Sequence, residues 1–332
     1  MVNFESFNEV NVLIIGDVMI DRYLRGNVTR ISPEAPVPVV NLTGEDLRLG
    51  GAANVALNVR ALGATPILCS VVGADEDGQT FCKLLPEYGI SNKYIFQSKN
   101  RRSTVKARIM AGAQHLLRLD QEDTHDLDDT EVQQLLRIIQ EALESLDIHV
   151  ILFQDYNKGV LCPRVINEII QEAIKRDIPT AVDPKFNNFW AYKQITLFKP
   201  NLKEIQAQAP TPVQATLPSL QAATQYIRSQ LGNQHTLITL SEKGLFWAAE
   251  GESGKIFPTV PRAVADVCGA GDTVISIVAL GLGLHLDLEE IAVLANLAGG
   301  QVCEKVGVVP VDKAQLRQEF EDILGTKVEE WR

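Results

Sequence analysis

The stretch Asp266-Val-Cys-Gly269-Ala-Gly271-Asp272-Thr-Val sets a glycine-bracketed turn and a carboxylate at the head of an apolar run, Val274 to Leu284. The first turn of a helix leaves backbone N–H groups unpaired and carries the positive end of the dipole. Gly269, Ala270 and Gly271 can therefore offer a nest of donors to an anion. A carboxylate beside that anion is poorly suited to bind phosphate but well suited to take a proton from an attacking hydroxyl. Asp272 thus reads as the general base of a phosphoryl transfer. Taken alone, the same residues also read as a plain turn with an acid that the dipole favours.

Upstream of this stretch, apolar runs at Val10 to Ile15, Pro66 to Val72, His149 to Phe153, Pro179 to Val182, Thr196 to Phe198 and Thr236 to Leu240 have the look of buried strands. Helical patterns lie between most of them, at Ala52 to Leu62, Glu131 to Leu146, Pro163 to Lys175 and Pro212 to Gln230. Such alternation predicts an α/β fold with a mostly parallel central sheet, helices on both faces, and ligands beyond the carboxyl ends of the strands. Downstream, Asp287-Leu-Glu-Glu290 has the spacing of a helix cap and opens a helix through Ala298. Residues 22–48 and 93–119 break the rhythm with prolines and short alternating runs, and are expected to form a small antiparallel sheet set over the main one as a lid. The expectation is a single domain, 1–332, carrying that lid. Exposed lid edges need cover, so a homodimer paired through the lid is expected too.

Several motifs fall at strand ends. Gly50-Gly-Ala-Ala-Asn54 opens a helix just after the lid, where two glycines let backbone approach a ligand and Asn54 offers donors and an acceptor. It reads as a hydroxyl-binding corner or as close helix packing. Asp17 and Asp21 follow the first strand; Asp17 reads as a cap of the next turn, and Asp21 as a carboxylate placed to chelate two sugar hydroxyls. In Lys199-Pro-Asn-Leu-Lys-Glu204, Asn201 and Glu204 either hold waters of a magnesium ion or cap a helix. Thr239-Leu-Ser-Glu-Lys-Gly244 suits phosphates and suits a hairpin turn equally.

The chain has 332 residues, 45% hydrophobic and 22% charged, and a net charge of −11, which argues against a nucleic-acid partner. Anions must be met locally. Between Glu87 and Asp120 there is no acid but seven cations: Lys93, Lys99, Arg101, Arg102, Lys106, Arg108 and Arg118. Most read as solvated lid surface, with one or two facing an anionic substrate. Five scattered cysteines, an amino terminus without a basic leader, and no apolar run long enough to span a bilayer predict a reduced, cytoplasmic protein without membrane contact. A dinucleotide-binding oxidoreductase fits poorly, since the third glycine position counted from Gly269 is Val274. No Gly-Lys-Ser/Thr string supports a P-loop.

In order, Gly50-Gly51 with Asn54, Asn201 with Glu204, Thr239 to Gly244 and Gly269-Ala-Gly-Asp272 resemble the ribokinase-like, or PfkB, carbohydrate kinases over nearly the whole chain. More narrowly, Arg30-Ile-Ser-Pro-Glu-Ala-Pro-Val-Pro-Val39, Gln154-Asp-Tyr-Asn-Lys-Gly159 and Asp183-Pro-Lys185 resemble the branch that phosphorylates D-glycero-D-manno-heptose 7-phosphate at its anomeric oxygen, on the way to ADP-heptose and lipopolysaccharide core. The resemblance implies ATP and Mg2+ as cofactors and a sugar phosphate as acceptor. It implies Asp272 as base, with the amides of Gly269, Ala270 and Gly271 as anion hole. Asp21, Gly50, Gly51 and Asn54 would hold sugar, with Arg108 and Lys158 candidates for its phosphate. Asn201 and Glu204 would order magnesium, Glu204 through water. Lys185, Thr239, Ser241, Gly244 and Asn296 would line the nucleotide. Asp266 matches a residue that helps bind a monovalent cation, K+, in relatives, although the Ser or Thr usual two residues later is Cys268 here. In many bacteria that kinase is fused to a nucleotidyltransferase with a His-Xaa-Gly-His motif. The histidines at 115, 125, 149, 235 and 285 are isolated, so the expectation is a kinase alone or a separately encoded kinase half.

Overall fold

The protein is described by a computed structural model covering residues 2–112 and 114–330. In chain order its elements are β1 (Asn11–Gly16), β2 (Val18–Ile31), β3 (Pro38–Gly51), α1 (Ala52–Ala61), β4 (Thr65–Gly73), α2 (Glu76–Glu87), β5 (Ile95–Ser98), β6 (Val105–Ala111), β7 (Gln114–Gln121), α3 (Asp129–Ser145), β8 (Val150–Gln154) and α4 (Pro163–Lys175). There follow β9 (Thr180–Asp183), β10 (Leu197–Phe198), α5 (Leu202–Gln208), α6 (Leu217–Leu231), β11 (His235–Thr239), β12 (Leu245–Ala249), β13 (Lys255–Phe257), α7 (Ala270–Gly283), α8 (Leu288–Cys303) and α9 (Lys313–Glu330).

Nine strands form one sheet in the order β13-β12-β11-β10-β9-β8-β1-β4-β5. It is parallel from β11 to β5, and β12 and β13 turn back antiparallel at one edge. The pleat divides its side chains between two cores. Val12 and Ile14 of β1, with Val150 and Leu152 of β8, point to the layer that holds α1, α7 and α8. Leu13, Ile15, Ile151 and Phe153 point to the layer of α3, α4 and α6. Helix α4 shows the logic locally: Pro163 opens it, and Val165, Ile166, Ile169, Ile170 and Ala173 recur at helical spacing and are all buried. Helix α7 is buried on every side from Asp272 to Gly283, as its unbroken apolar run requires. Among the described residues no helix is long and apolar enough to cross a membrane.

A second sheet, β3-β2-β6-β7, forms the lid. It is less simple than a set of short antiparallel strands: β2 and β3 are 14 residues each, and β2 runs parallel to β6. The parallel pairing arises because β2 continues almost directly from β1, so the lid's central strand leaves the main sheet with that sheet's polarity. Part of the expected second lid segment belongs elsewhere. Ile95–Ser98 lies beside β4 as the main sheet's edge, since β4, α2 and β5 make one parallel crossover unit. The helix expected from Pro212 starts only at Leu217, with Thr216 at its N-cap and a proline in its first turn. On the lid, Val28, Ile31, Val37, Leu42, Leu117 and Leu119 are exposed, between 37% and 61%.

Candidate active site

Asp272 is the third residue of α7 and is buried, at 5% exposure. Its Oδ2 accepts Asn54 Nδ2 at 2.7 Å; its Oδ1 accepts the Tyr156 hydroxyl at 2.7 Å and Gln154 Nε2 at 3.1 Å. Burial pushes the carboxyl up to about 6, against the pull of the Asn54 and Tyr156 bonds; Asp183 adds to the rise and Lys185 opposes it. A carboxylate so poised is ionised at neutral pH yet basic enough to accept a proton. Ahead of it, Gly269 takes the left-handed conformation, φ 81°, as the residue capping α7. A Cβ there would come 3.0 Å from Asn54 Nδ2, so glycine serves both the turn and the close approach. Ala270 N–H makes only a long 3.4 Å bond to Val267 O, which leaves the first-turn amides for an anion.

Below this turn lies a charged floor. Asp183, at the end of β9, accepts Lys199 Nζ at 3.1 Å and Gln154 Nε2 at 3.3 Å, and Lys185 Nζ stands 3.6 Å from its other oxygen. Burial works to raise the Asp183 carboxyl, but Lys185 and Lys199 hold it below the usual carboxylate value. Lys185 also donates to Glu204 Oε1 at 2.6 Å, and despite burial the flanking carboxylates keep its pKa above the ordinary lysine value. Gly271 lies over this floor: a Cβ there would be 3.7 Å from Asp183 Oδ2 and 3.9 Å from Lys199 Nζ.

Asn201 and Glu204 do form a helix cap. Asn201 Oδ1 accepts Glu204 N–H and Glu204 Oε2 accepts Asn201 N–H, each at 2.8 Å, and together they open α5. Each Glu204 oxygen accepts one bond, which leaves lone pairs for metal-bound water. Among the described residues no group of three His, Cys, Asp or Glu gathers to hold an ion. Magnesium keeps much of its hydration and is shared with phosphates, so Glu204 fits such an ion through water rather than as part of a cage. Thr239 bridges to Asn201, and the segment after it is a hairpin turn with Ser241 at φ 58° and Gly244 at φ 92°. Gly244 packs onto the Phe257 carbonyl, and Asn296 of α8 donates to Pro258 O at 2.7 Å, so both meet the same loop.

On the lid side, Asp21 accepts Arg108 Nη1 at 2.5 Å, and a Cβ on Gly50 would fall 2.5 Å from Asp21 Oδ2. Gly51 caps α1 at φ 62°. The Cys268 thiol joins this corner to the turn before α7: burial and Asp266 push it up to about 11, while Arg108 pulls it down. Lys158 Nζ, the other candidate for the acceptor phosphate, is paired with Glu122 Oε1 at 2.7 Å. Asp266 accepts the amides of Cys268 at 3.0 Å and Gly307 at 2.9 Å and so ties two loops together. Asp17 does not cap the turn that follows it. It accepts the amides of Tyr156, Lys158 and Val160, more than a hundred residues away, and fastens the loop after β8.

The family model for pfkB family carbohydrate kinases matches residues 10–314. The chain belongs to that family. Over 314 residues it is 42% identical to the bifunctional protein HldE of Trichlorobacter lovleyi, covering 94% of this chain and 63% of that protein. With the bifunctional protein HldE of Campylobacter curvus it shares 37% identity over 311 residues, 93% of this chain and 65% of that one. The chain thus spans just under two thirds of the length of these curated relatives. Among solved structures, the phosphofructokinase-2 of Escherichia coli in complex with potassium aligns with a TM-score of 0.78 at 18% identity, over 94% of this chain and 98% of that one. The ribokinase of Arabidopsis thaliana complexed with ribose and ATP gives 0.72 at 17%, with the same coverage. At such identity these neighbours speak for the fold, which is ribokinase-like.

In this carbohydrate kinase, Gln154 and Tyr156 donate to the Asp272 carboxylate and the Asp183–Lys199 pair lies next to them, yet residue chemistry alone does not single them out. Gln154-Asp-Tyr and Asp183-Pro-Lys185 enter the sequence argument only as family signatures. Their position was the available signal: β8 and β9 end at Gln154 and Asp183, on the rim where such sheets bind ligands.

Proposed function

We propose that this kinase transfers the γ-phosphoryl group of ATP to the anomeric oxygen of D-glycero-β-D-manno-heptose 7-phosphate, giving the 1,7-bisphosphate in ADP-heptose and lipopolysaccharide-core synthesis. The observation that carries the chemistry is the buried Asp272 carboxylate, held near pKa 6 beside the glycine turn at the head of α7. The acceptor hydroxyl gives its proton to Asp272 while its oxygen bonds to the γ-phosphorus. The bond from that phosphorus to the bridging oxygen breaks, and its electron pair leaves with ADP. The amides of Gly269, Ala270 and Gly271 meet the charge on the transferred group. Lys185 adds a cation at the same end of the sheet, and Glu204 would hold a magnesium ion through water, an ion that would supply charge neutralisation for the phosphates.

The acceptor reading is supported by the heptose-kinase-like segments Arg30 to Val39, Gln154 to Gly159 and Asp183 to Lys185, and by the two relatives that share their bifunctional name. Asp21, Gly50, Gly51 and Asn54 line the sugar side, Arg108 takes the acceptor phosphate, and Thr239, Ser241, Gly244 and Asn296 border the nucleotide. K+ near Asp266 is supported by the potassium complex of a neighbour of the same fold. The exposed apolar residues of β2, β3 and β7 support pairing of two subunits through the lid. ADP release measured against a panel of free sugars and sugar phosphates tests the acceptor. Equal turnover of free ribose or fructose would leave only the broader reading of a ribokinase- or fructokinase-like enzyme.

A further inference from the structure

A carboxylate has about four acceptor positions, two on each oxygen. On Asp272, Gln154 Nε2 and the Tyr156 hydroxyl take both positions of Oδ1, and Asn54 Nδ2 takes one of Oδ2. One position is left, on Oδ2. An acceptor hydroxyl that loses its proton to Asp272 must therefore approach that oxygen, on the side away from Asn54.

The Tyr156 hydroxyl is aimed by structure on all sides. Asp17 at the end of β1 accepts Tyr156 N–H at 2.8 Å, Lys158 N–H at 3.0 Å and Val160 N–H at 3.1 Å, so one buried carboxylate fixes the backbone of the loop. Asp155 accepts Asn157 N–H at 2.8 Å, and Asn157 takes a left-handed turn at φ 54°. The ring has Lys185 Nζ 5.6 Å and Lys106 Nζ 6.0 Å from its centroid. Burial and the nearby Asp272 and Asp183 carboxylates raise the Tyr156 pKa, which keeps the phenol protonated and so a donor.

We propose that Tyr156 is a positioning residue of the phosphoryl transfer: with Gln154 it pins Oδ1 of Asp272, leaving Oδ2 as the only oxygen that can take the acceptor proton. Asp17 is the anchor that holds Tyr156 in place. This rests on Asp272 acting as the base. The groups that set its ionisation are Asn54 on α1, Gln154 and Tyr156 at the end of β8, Asp183 at the end of β9 and Lys185 beyond it. Of these, Tyr156 can lose its donor with the least change of shape.

Tyr156→Phe removes only the hydroxyl. With ATP and the best acceptor from the sugar panel, kcat is expected to fall about tenfold or more, the loss of a hydrogen bond to a charged group. Both KM values should stay within about threefold, since no substrate contact is lost. The acid limb of kcat/KM should move up by about one pH unit, because the carboxylate loses a donor. Gln154→Met, which removes the other donor on Oδ1, should move the limb in the same direction, and the thermal midpoint of each variant shows that it is folded. An unmoved limb in both folded variants overturns the proposal. So does a rise in the acceptor KM alone, which would make Tyr156 a substrate contact. Asp272→Asn run in parallel separates the two readings: if it keeps its activity, the base assignment falls; if it is inactive and the limb still does not move, only the Tyr156 assignment falls.

Discussion

Asn54 donates to Asp272 at 2.7 Å, and each is the third residue of its helix. The contact is the first of a series along two helices that run side by side in the same direction. Thr273 Oγ1 donates to Asn58 Oδ1 at 3.1 Å, and Ser276 Oγ to Val55 O at 3.3 Å. The amino ends of α1 and α7 therefore converge, and their positive dipole ends add beside Asp272, where the proposed function puts the transferred phosphoryl group. Gly50-Gly51 and Gly269-Ala-Gly271, far apart in the chain, thus stand at the heads of the two converging helices. A sugar on the lid side and an anion on the α7 side would meet at Asp272.

Replacing Asp272 by Asn is expected to lower kcat by two or more orders of magnitude with little change in either KM, because general-base help acts mainly in the transition state. Steady-state ADP release measures this. A variant that keeps more than about a tenth of the wild-type kcat would remove Asp272 from the role of base, since such help is worth ~10²-fold or more.

The same carboxyl links activity to stability with opposite signs. Its pKa is raised in the folded protein from 3.8 to about 6, so the folded state holds the proton more tightly than the unfolded chain. Ionisation as the pH rises from about 4 to about 6 switches the base on, and costs about 3 kcal/mol of stability that is not regained at neutral pH. Asp272→Asn cannot ionise, and should gain on the wild type by about that much between pH 4 and pH 7.5 in denaturant titrations. An unchanged difference between the two proteins at both pH values would show that Asp272 is not held near 6.

What could be read from the residues is what local pattern determines. Val10 to Ile15, His149 to Phe153 and Pro163 to Lys175 carry their period in their own side chains, and they lie within a residue or so of β1, β8 and α4. The turn before α7 was equally legible, because glycine and a first-turn acid have a local reason to be there. Ile95–Ser98 falls within the expected lid segment because four residues cannot show which sheet they join; that depends on α2 carrying the chain back beside β4. Asn201 and Glu204 had two readings from the start, and the cap is local whereas any ligand role is not. Tyr156 escaped for a further reason. A tyrosine two residues past a strand carries no mark of its target, and long-range contacts such as the hold of Asp17 on its backbone set it beside Asp272.

The lid should pair two copies of the chain. Ile31 and Leu42 are 60% and 61% exposed, and Leu117 and Leu119 of β7 are 53% and 50% exposed, which is costly for a sheet surface facing water. Sedimentation at micromolar concentration is expected to show a dimer, and the double variant Leu42→Asp with Leu119→Asp a monomer. A wild-type protein that sediments only as monomer would end the pairing proposal and leave the lid.

The remaining question of specificity turns on which cation meets the phosphate of the acceptor. Arg118 and Arg102 are each 59% exposed and paired with Asp120 and Asp123, while Arg101 turns Nη2 to the carbonyls of Lys158 and His125 and keeps Nη1 buried without a hydrogen-bond partner. Arg30 lies exposed near the far end of β2. Arg108 alone among these candidates pairs with Asp21, the residue proposed to hold the sugar, with its guanidinium 5.1 Å from the Tyr23 ring centroid and its side chain 15% exposed. A fork of N–H donors in that position can hold Asp21 with one arm and a dianionic phosphate with another. Activity on heptose 7-phosphate should exceed that on free heptose by at least about a hundredfold in kcat/KM, equivalent to ~2.7 kcal/mol. Arg108→Ala should erase most of that ratio, and Arg108→Lys, which keeps the charge near Asp21 but loses the fork, should restore only part of it. Were Arg108→Ala to lower both substrates equally, Arg108 would serve only to hold Asp21, and the phosphate would have to be met by another cation.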